Sequence, residues 1–129
     1  MLLAIAAGGA LGALARYGAT QAIHVAKDGF PWATFWTNIS GAFALGLFLT
    51  FVMRRFPPSQ YARAFVAIGF LAAYTTFSTM AVETVVLVKD GRAGVGVGYL
   101  VSSIALGLGV AYAGIVLGRR ITRAPEVSG

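Results

Sequence analysis

Four stretches of this chain are each long and apolar enough to cross a lipid bilayer as a helix: Leu2 to Val25, Trp32 to Met53, Tyr61 to Val88 and Val95 to Leu117. A helix needs about 20 mostly apolar residues to cross the hydrocarbon core, where no water satisfies exposed backbone groups. The runs therefore predict an all-α membrane protein with four transmembrane helices. The joints "AKDGFP", "RRFPPSQ" and "KDGRAG" carry the Gly or Pro that ends helices. Residues 1-129 thus read as one four-helix transmembrane domain. The N-terminus lacks a basic segment ahead of its apolar run, so no removable signal peptide is expected.

Ten Lys and Arg stand against four Asp and Glu, a balance that can mark a nucleic-acid binder. Here, however, the basic residues fall between and after the apolar runs, and no stripe with interleaved aromatics forms. The excess is better read as topology, and no nucleic-acid partner is expected. Arg54, Arg55, Arg63, Arg119, Arg120 and Arg123 lie on one side of the membrane, and Lys27, Lys89 and Arg92 on the other. By the positive-inside rule both termini face the cytoplasm. With no cysteine and a single His24, disulfides, thiolate chemistry and a His-based metal site are excluded.

Polar residues inside apolar spans ask for a reason. The third run is longer than a straight crossing requires, and its middle, "GFLAAYTTFSTMAVE", concentrates hydroxyls at Thr75, Thr76, Ser78 and Thr79. An interruption at mid-membrane is expected there. Hydroxyls can partly satisfy the freed backbone, and freed carbonyls can coordinate a cation such as Na⁺. Phe77 and Met80 share a face at i, i+3, either as ordinary core packing or because a ring edge, partially positive, faces an anion.

In the second run Thr34, Thr37, Asn38 and Gly41 follow the i, i+3, i+4, i+7 spacing of one helix face, and in the fourth Tyr99, Ser102, Ser103 and Gly107 do so. Two readings stand for both faces: interhelical hydrogen bonds and close packing, or the lining of a polar path. The first run contains "GGALGALARYG", with Gly8, Gly12 and Arg16 at four-residue intervals. Gly8 and Gly12 form a packing motif. A guanidinium so deep in a span must pair, snorkel or face water. Arg16 is therefore either the ion-pair partner of Glu83 or a vestibule residue that attracts anions.

These segments resemble the small bacterial fluoride channels called Fluc or CrcB, over essentially the whole chain. The resemblance rests on "GGALGALARY", "TFWTNISGAF", and "TTFST" followed by "AVE", in the right order and spacing. It implies an antiparallel, dual-topology dimer of four-helix subunits, multi-pass in the bacterial plasma (inner) membrane and embedded in its lipid. Such a dimer has two fluoride pores and a central structural Na⁺ that is not transported. By the same resemblance, Asn38 is the pore asparagine and Phe77 the first ring of a phenylalanine box, whose second position is Met80. Tyr99 and Ser103 match a polar track on the fourth helix, Arg16 matches the first-helix arginine at the vestibule, and the carbonyls of Ala72 and Thr75 bind Na⁺; the Thr76 hydroxyl is read beside these as a further donor to fluoride. The chain departs from the family where paired glycines are replaced by Ala72 and Ala73, at Tyr74, and at Met80, which replaces a phenylalanine.

The implied function is passive fluoride export with no bond made or broken, so no enzyme is expected. A homodimer is the expected assembly, with a heterodimer containing an inverted paralogue as the alternative because the Lys and Arg distribution is uneven. Two other classes fit four short spans. A small dual-topology proton-coupled drug exporter would need a membrane-centred carboxylate, but Glu83 lies toward the end of the third span. A structural subunit would use its polar faces only to bind partner helices.

Overall fold

The computed structural model describes residues 1–23, 29–52, 54 and 60–122, and among these there is no strand. The Ala- and Gly-rich first run forms helix α1, Leu2–Ala22, and ends where Ile23 becomes extended. Helix α2, Trp32–Leu47, starts after Pro31 and continues through wide π-type turns at Phe48–Val52. The third run begins with α3, made of three consecutive segments: Gln60–Arg63, the π-type Ala64–Leu71, and Ala72–Tyr74. It resumes as α4, Phe77–Lys89, and α5 covers Ala93–Thr122. Among the described residues, four stretches are thus long and apolar enough to cross a membrane: Leu2–Ala22, Trp32–Phe51, Gln60–Lys89 and Ala93–Thr122. The expected ends at Val25 and Met53, together with His24, Lys27, Arg55 and Arg123, lie outside the described residues.

The turn between α4 and α5 follows from "KDG". Gly91 takes φ +79°, which alanine would adopt only with strain. Its N–H donates to the Val88 carbonyl at 3.2 Å, and the Arg92 N–H donates to the Leu87 carbonyl at 2.8 Å. This pair of bonds closes two carbonyls that the end of a helix leaves open. At its other end α5 continues past the expected limit at Leu117, through Arg119 and Arg120. Its 30 residues correspond to about 45 Å, more than the ~30 Å hydrocarbon core, so the basic end can reach the polar layer.

Lipid tails are as apolar as leucine, so the helices gain little from hydrophobic burial against one another, and close van der Waals packing must hold them. Small residues supply it. α1 packs mainly on α3, and α2 mainly on α5, which also carries α4. At the first interface, a Cβ on Gly8 would collide with the Phe65 carbonyl and one on Gly12 with the Phe70 carbonyl. At the second, Gly46 lies against the Ala111 carbonyl, Gly114 against Phe43 and Leu47, and Gly118 against Thr50. A small core of Phe35, Ile39, Met80, Leu87 and Tyr99 lies between α2, α4 and α5. Leu2, Leu3, Leu14, Leu108 and Tyr112 remain largely exposed, an outer surface suited to lipid.

The contrast within "GG" provides a test, because a Cβ on Gly9 meets only the Gly69 carbonyl, at 3.9 Å. Gly8→Ala and Gly12→Ala should each destabilise the fold by ~1–3 kcal/mol, with Gly9→Ala within ~0.5 kcal/mol of wild type. Thermal unfolding in detergent measures this; equal effects at the three positions would contradict the packing.

Candidate functional site

Helical hydrogen bonding stops at Tyr74 and restarts at Phe77. Between them Thr75 has φ −86°, ψ 153° and Thr76 φ −152°, ψ 120°, both extended. The donors and acceptors released there are satisfied by side chains. The Thr76 N–H donates to Asn38 Oδ1 at 2.7 Å, and Asn38 Nδ2 donates to the Thr76 carbonyl at 3.0 Å. One carboxamide therefore closes both polar groups of one residue's backbone. Thr76 also caps α4, its Oγ1 accepting from the Thr79 N–H at 3.2 Å. Thr75 stays on the preceding side, its N–H and Oγ1 both donating to the Leu71 carbonyl.

The carbonyls of Ala72, Ala73, Tyr74 and Thr75 lose their helical donors here, two of them to side chains. In an unbroken helix the Thr76 N–H would donate to Ala72 and the Thr79 N–H to Thr75, by the i to i−4 rule. Both amides are taken by side chains instead. Ala72 and Thr75 are two of the residues whose carbonyls the interruption releases. Ala72 sits at φ −65°, ψ −35°, ordinary right-handed backbone, and among the described residues no non-glycine has positive φ. Alanine in place of glycine costs nothing in this conformation. No cluster of three or more His, Cys, Asp and Glu suited to a metal occurs among the described residues.

A groove of about 540 Å³ runs beside the interruption and is open along one side. It brings together Asn38, Ala72, Thr75, Thr76, Phe77, Met80 and Ser103 from three separate apolar runs. Met80 is only 4% exposed and forms part of the wall, whereas Phe77 is 70% exposed and stands at the open side. Ser103 is buried, and its hydroxyl has no hydrogen-bond partner among the described residues. Neighbouring Ser102 donates back to the Gly98 carbonyl at 2.6 Å, as a hydroxyl with no ligand ordinarily does. A Cβ on Gly107 would meet nothing within 4 Å, and Gly107 lines the groove, so within one chain it is not a packing glycine.

Tyr99 stands apart from that groove. It is fully buried, and its hydroxyl donates to Glu83 Oε2 at 2.9 Å. The other carboxylate oxygen, Oε1, accepts from Thr34 Oγ1 at 2.7 Å. Both oxygens of Glu83 are thus engaged by hydroxyls, and no ion pair joins it to Arg16 among the described residues. Arg16 and Glu83 do line one cavity, of about 310 Å³, with Tyr17, Thr20, Thr34, Thr37 and Thr79. The expected face of α2 meets the interrupted run throughout: Thr34 at Glu83, Asn38 at Thr76, and Gly41 at Thr75. Thr37 instead bonds its own helix at the Thr34 carbonyl.

The profile of a family described as "CrcB-like protein, Camphor Resistance (CrcB)" matches residues 3–115. The chain is similar to "Fluoride-specific ion channel FluC 1" of Mycobacterium bovis, 44% identical over 121 residues, which cover 93% of this chain and 91% of that protein. It is 38% identical over 118 residues to "Fluoride-specific ion channel FluC" of Rhodospirillum centenum, covering 91% and 94%. To the protein of the same name from Beijerinckia indica it is 40% identical over 125 residues, covering 93% and 97%.

The Asn38 contact gives a direct expectation. Asn38→Leu keeps the volume but leaves the Thr76 N–H and carbonyl unpaired, and should destabilise the protein by about 2–3 kcal/mol. Thermal unfolding in detergent is the measurement, and a stability equal to wild type would mean that the pairing does not hold the interruption.

Proposed function

The chain belongs to the CrcB family, and from that membership and the geometry of its groove we infer that it is a fluoride-specific ion channel of the bacterial plasma membrane. The observation that carries the site is the Ser103 hydroxyl, buried yet unpartnered, in the same groove as Asn38, Phe77 and Met80. A buried donor without an acceptor costs about 1–3 kcal/mol, which an anion in the groove would offset. The drug-exporter reading loses its support, since Glu83 is bound by two hydroxyls away from the groove.

Fluoride is small and strongly hydrated, and gives up water only where donors replace it. We assign that replacement to Ser103, to the Asn38 N–H that Thr76 does not use, to the ring edge of Phe77, and to the Thr76 hydroxyl once its proton turns from Thr79 Oγ1, to which it donates at 3.2 Å. Met80 lines the wall with a polarizable thioether where the family carries a second ring. Tyr99 acts one turn before Ser103 on α5 by fixing Glu83, and Arg16, without an ion pair among the described residues, shares with Glu83 a separate polar cavity that we assign to a vestibule. An interior-negative membrane drives one negative charge outward with about 2.3 kcal/mol per 100 mV, so the passive direction is export.

The interruption at Thr75 and Thr76 is taken here as a mid-membrane break in the third crossing. Its released carbonyls, Ala72 and Thr75, would hold a structural Na⁺, which supplies the positive charge that backbone dipoles meeting at a subunit contact require. The assembly proposed is an antiparallel, dual-topology homodimer. In its favour are the groove's open side and the exposed Phe77 beside it, since an ion path needs a second wall. An inverted paralogue as partner is the variant favoured by charge, with Arg54, Arg63, Arg119 and Arg120 at one end of the described helices and Lys89 and Arg92 at the other.

Purified protein in liposomes should pass fluoride at least ~100-fold faster than chloride, a discrimination of about 2.7 kcal/mol. Electrode recordings of anion efflux after addition of a K⁺ ionophore measure both rates. Equal rates, or no efflux of either anion, would overturn the assignment.

A further inference from the structure

The interruption is gripped from α2 on both of its sides, and only the grip on the Thr76 side uses Asn38. On the preceding side, Tyr74 is the last helical residue of α3, and its hydroxyl lies 2.9 Å from Ser40 Oγ. Ser40 Oγ donates its proton to the Trp36 carbonyl at 2.7 Å, so in this pair the Tyr74 O–H is the donor. The Tyr74 ring stacks on Phe70, with centroids 6.0 Å apart and planes at 14°. It passes over Gly41, where a Cβ would meet its Cδ1 at 3.2 Å and would collide with the Thr75 methyl. Ser40 and Gly41 therefore seat Tyr74 and Thr75, two and three positions along α2 from the asparagine that seats Thr76. Neither Tyr74 nor Ser40 lines the groove.

We infer that the Tyr74–Ser40 hydroxyl pair is a second clamp on the interruption, which with Asn38 fixes the Ala72 and Thr75 carbonyls in the arrangement that takes a monovalent cation. The inference rests on the cation reading given above. Tyr74 and Ser40 are positioning residues in this account. Ala72 lies two residues before Tyr74 and Thr75 directly after it, so a swing of the Tyr74 backbone moves both carbonyls together. Stacking on Phe70 limits the ring plane but leaves the ring free to slide, and the hydroxyl bond removes that freedom. A tyrosine with only a packing role would need the ring and not the hydroxyl.

The test uses full-length wild type, Tyr74→Phe, Ser40→Ala and the double variant in detergent. Thermal unfolding is followed as Na⁺ replaces N-methyl-D-glucamine at constant ionic strength. The Na⁺ concentration giving half of the stabilisation should rise about five-fold in each single variant, the effect of one neutral hydrogen bond, with no further rise in the double variant. Because a weaker binder gains less stability from the same ligand, the gap in unfolding temperature between each single variant and wild type should widen as Na⁺ is raised. Without Na⁺, the amides of Thr75 to Phe77 should exchange hydrogen about five-fold faster in both single variants, while those of α1 keep their wild-type rates. An unshifted Na⁺ midpoint in variants of a Na⁺-responsive protein would overturn the clamp alone, as would a stability loss equal at every Na⁺ concentration. A wild type indifferent to Na⁺ would overturn the cation reading and the clamp with it.

Discussion

The pairing of the Asn38 carboxamide with the N–H and carbonyl of Thr76 is the contact on which the rest of the arrangement depends. Extended backbone inside a membrane span releases donors and acceptors that lipid cannot satisfy, so it persists only where protein groups replace the helical bonds. Asn38 replaces two of them, and the Thr76 hydroxyl a third by capping α4. With those donors diverted, the carbonyls of Ala72 and Thr75 lose their helical partners, and Phe77 starts a helix at the open side of the groove. The local cost of the break is thus linked to the two features that give the chain its proposed chemistry, a set of free carbonyls and a groove that offers hydrogen-bond donors to an anion.

Small residues do two opposite jobs in this fold. Gly8 and Gly12 let α1 approach the carbonyls of α3, and Gly46, Gly114 and Gly118 close α2 onto α5. Gly107, on the same α5 helix as Gly114, has room for a Cβ with nothing within 4 Å and leaves the groove open. Tight seams on either side hold the walls, and the gap between them is where Ser103 keeps an unpartnered hydroxyl. Which role a glycine plays depends on what stands opposite it. The sequence motif alone does not distinguish the two.

Much of this was legible from residues alone. The apolar runs, the helix-ending "KDG" and the shared face of Thr34, Thr37, Asn38 and Gly41 follow from length and period. The hydroxyl tract pointed to the region of Thr75 and Thr76. Other features depend on contacts distant in sequence. Spacing alone allows Glu83 as the ion-pair partner of Arg16, yet its oxygens are taken by Thr34 and Tyr99, which no local pattern predicts. Tyr99 and Ser103 share a helix face, but only Ser103 reaches the groove. Asn38 presented a choice between structural hydrogen bonds and lining a path; the geometry gives it the first and leaves one N–H for the second. The partnership of Tyr74 with Ser40 had no signal, because exposed hydroxyls inside spans carry no periodicity of their own.

The central claim is that the groove beside the interruption is the route fluoride takes and that Asn38 both holds its wall and faces the ion. Replacing Asn38 with Asp keeps an acceptor for the Thr76 N–H while placing a negative charge on the path. The measurement is fluoride efflux from liposomes containing Asn38→Asp, alongside size-exclusion chromatography of the same preparation. The account predicts a monodisperse, folded protein of wild-type assembly size that passes no fluoride. Wild-type efflux from that variant would contradict it, and would place the route away from Asn38.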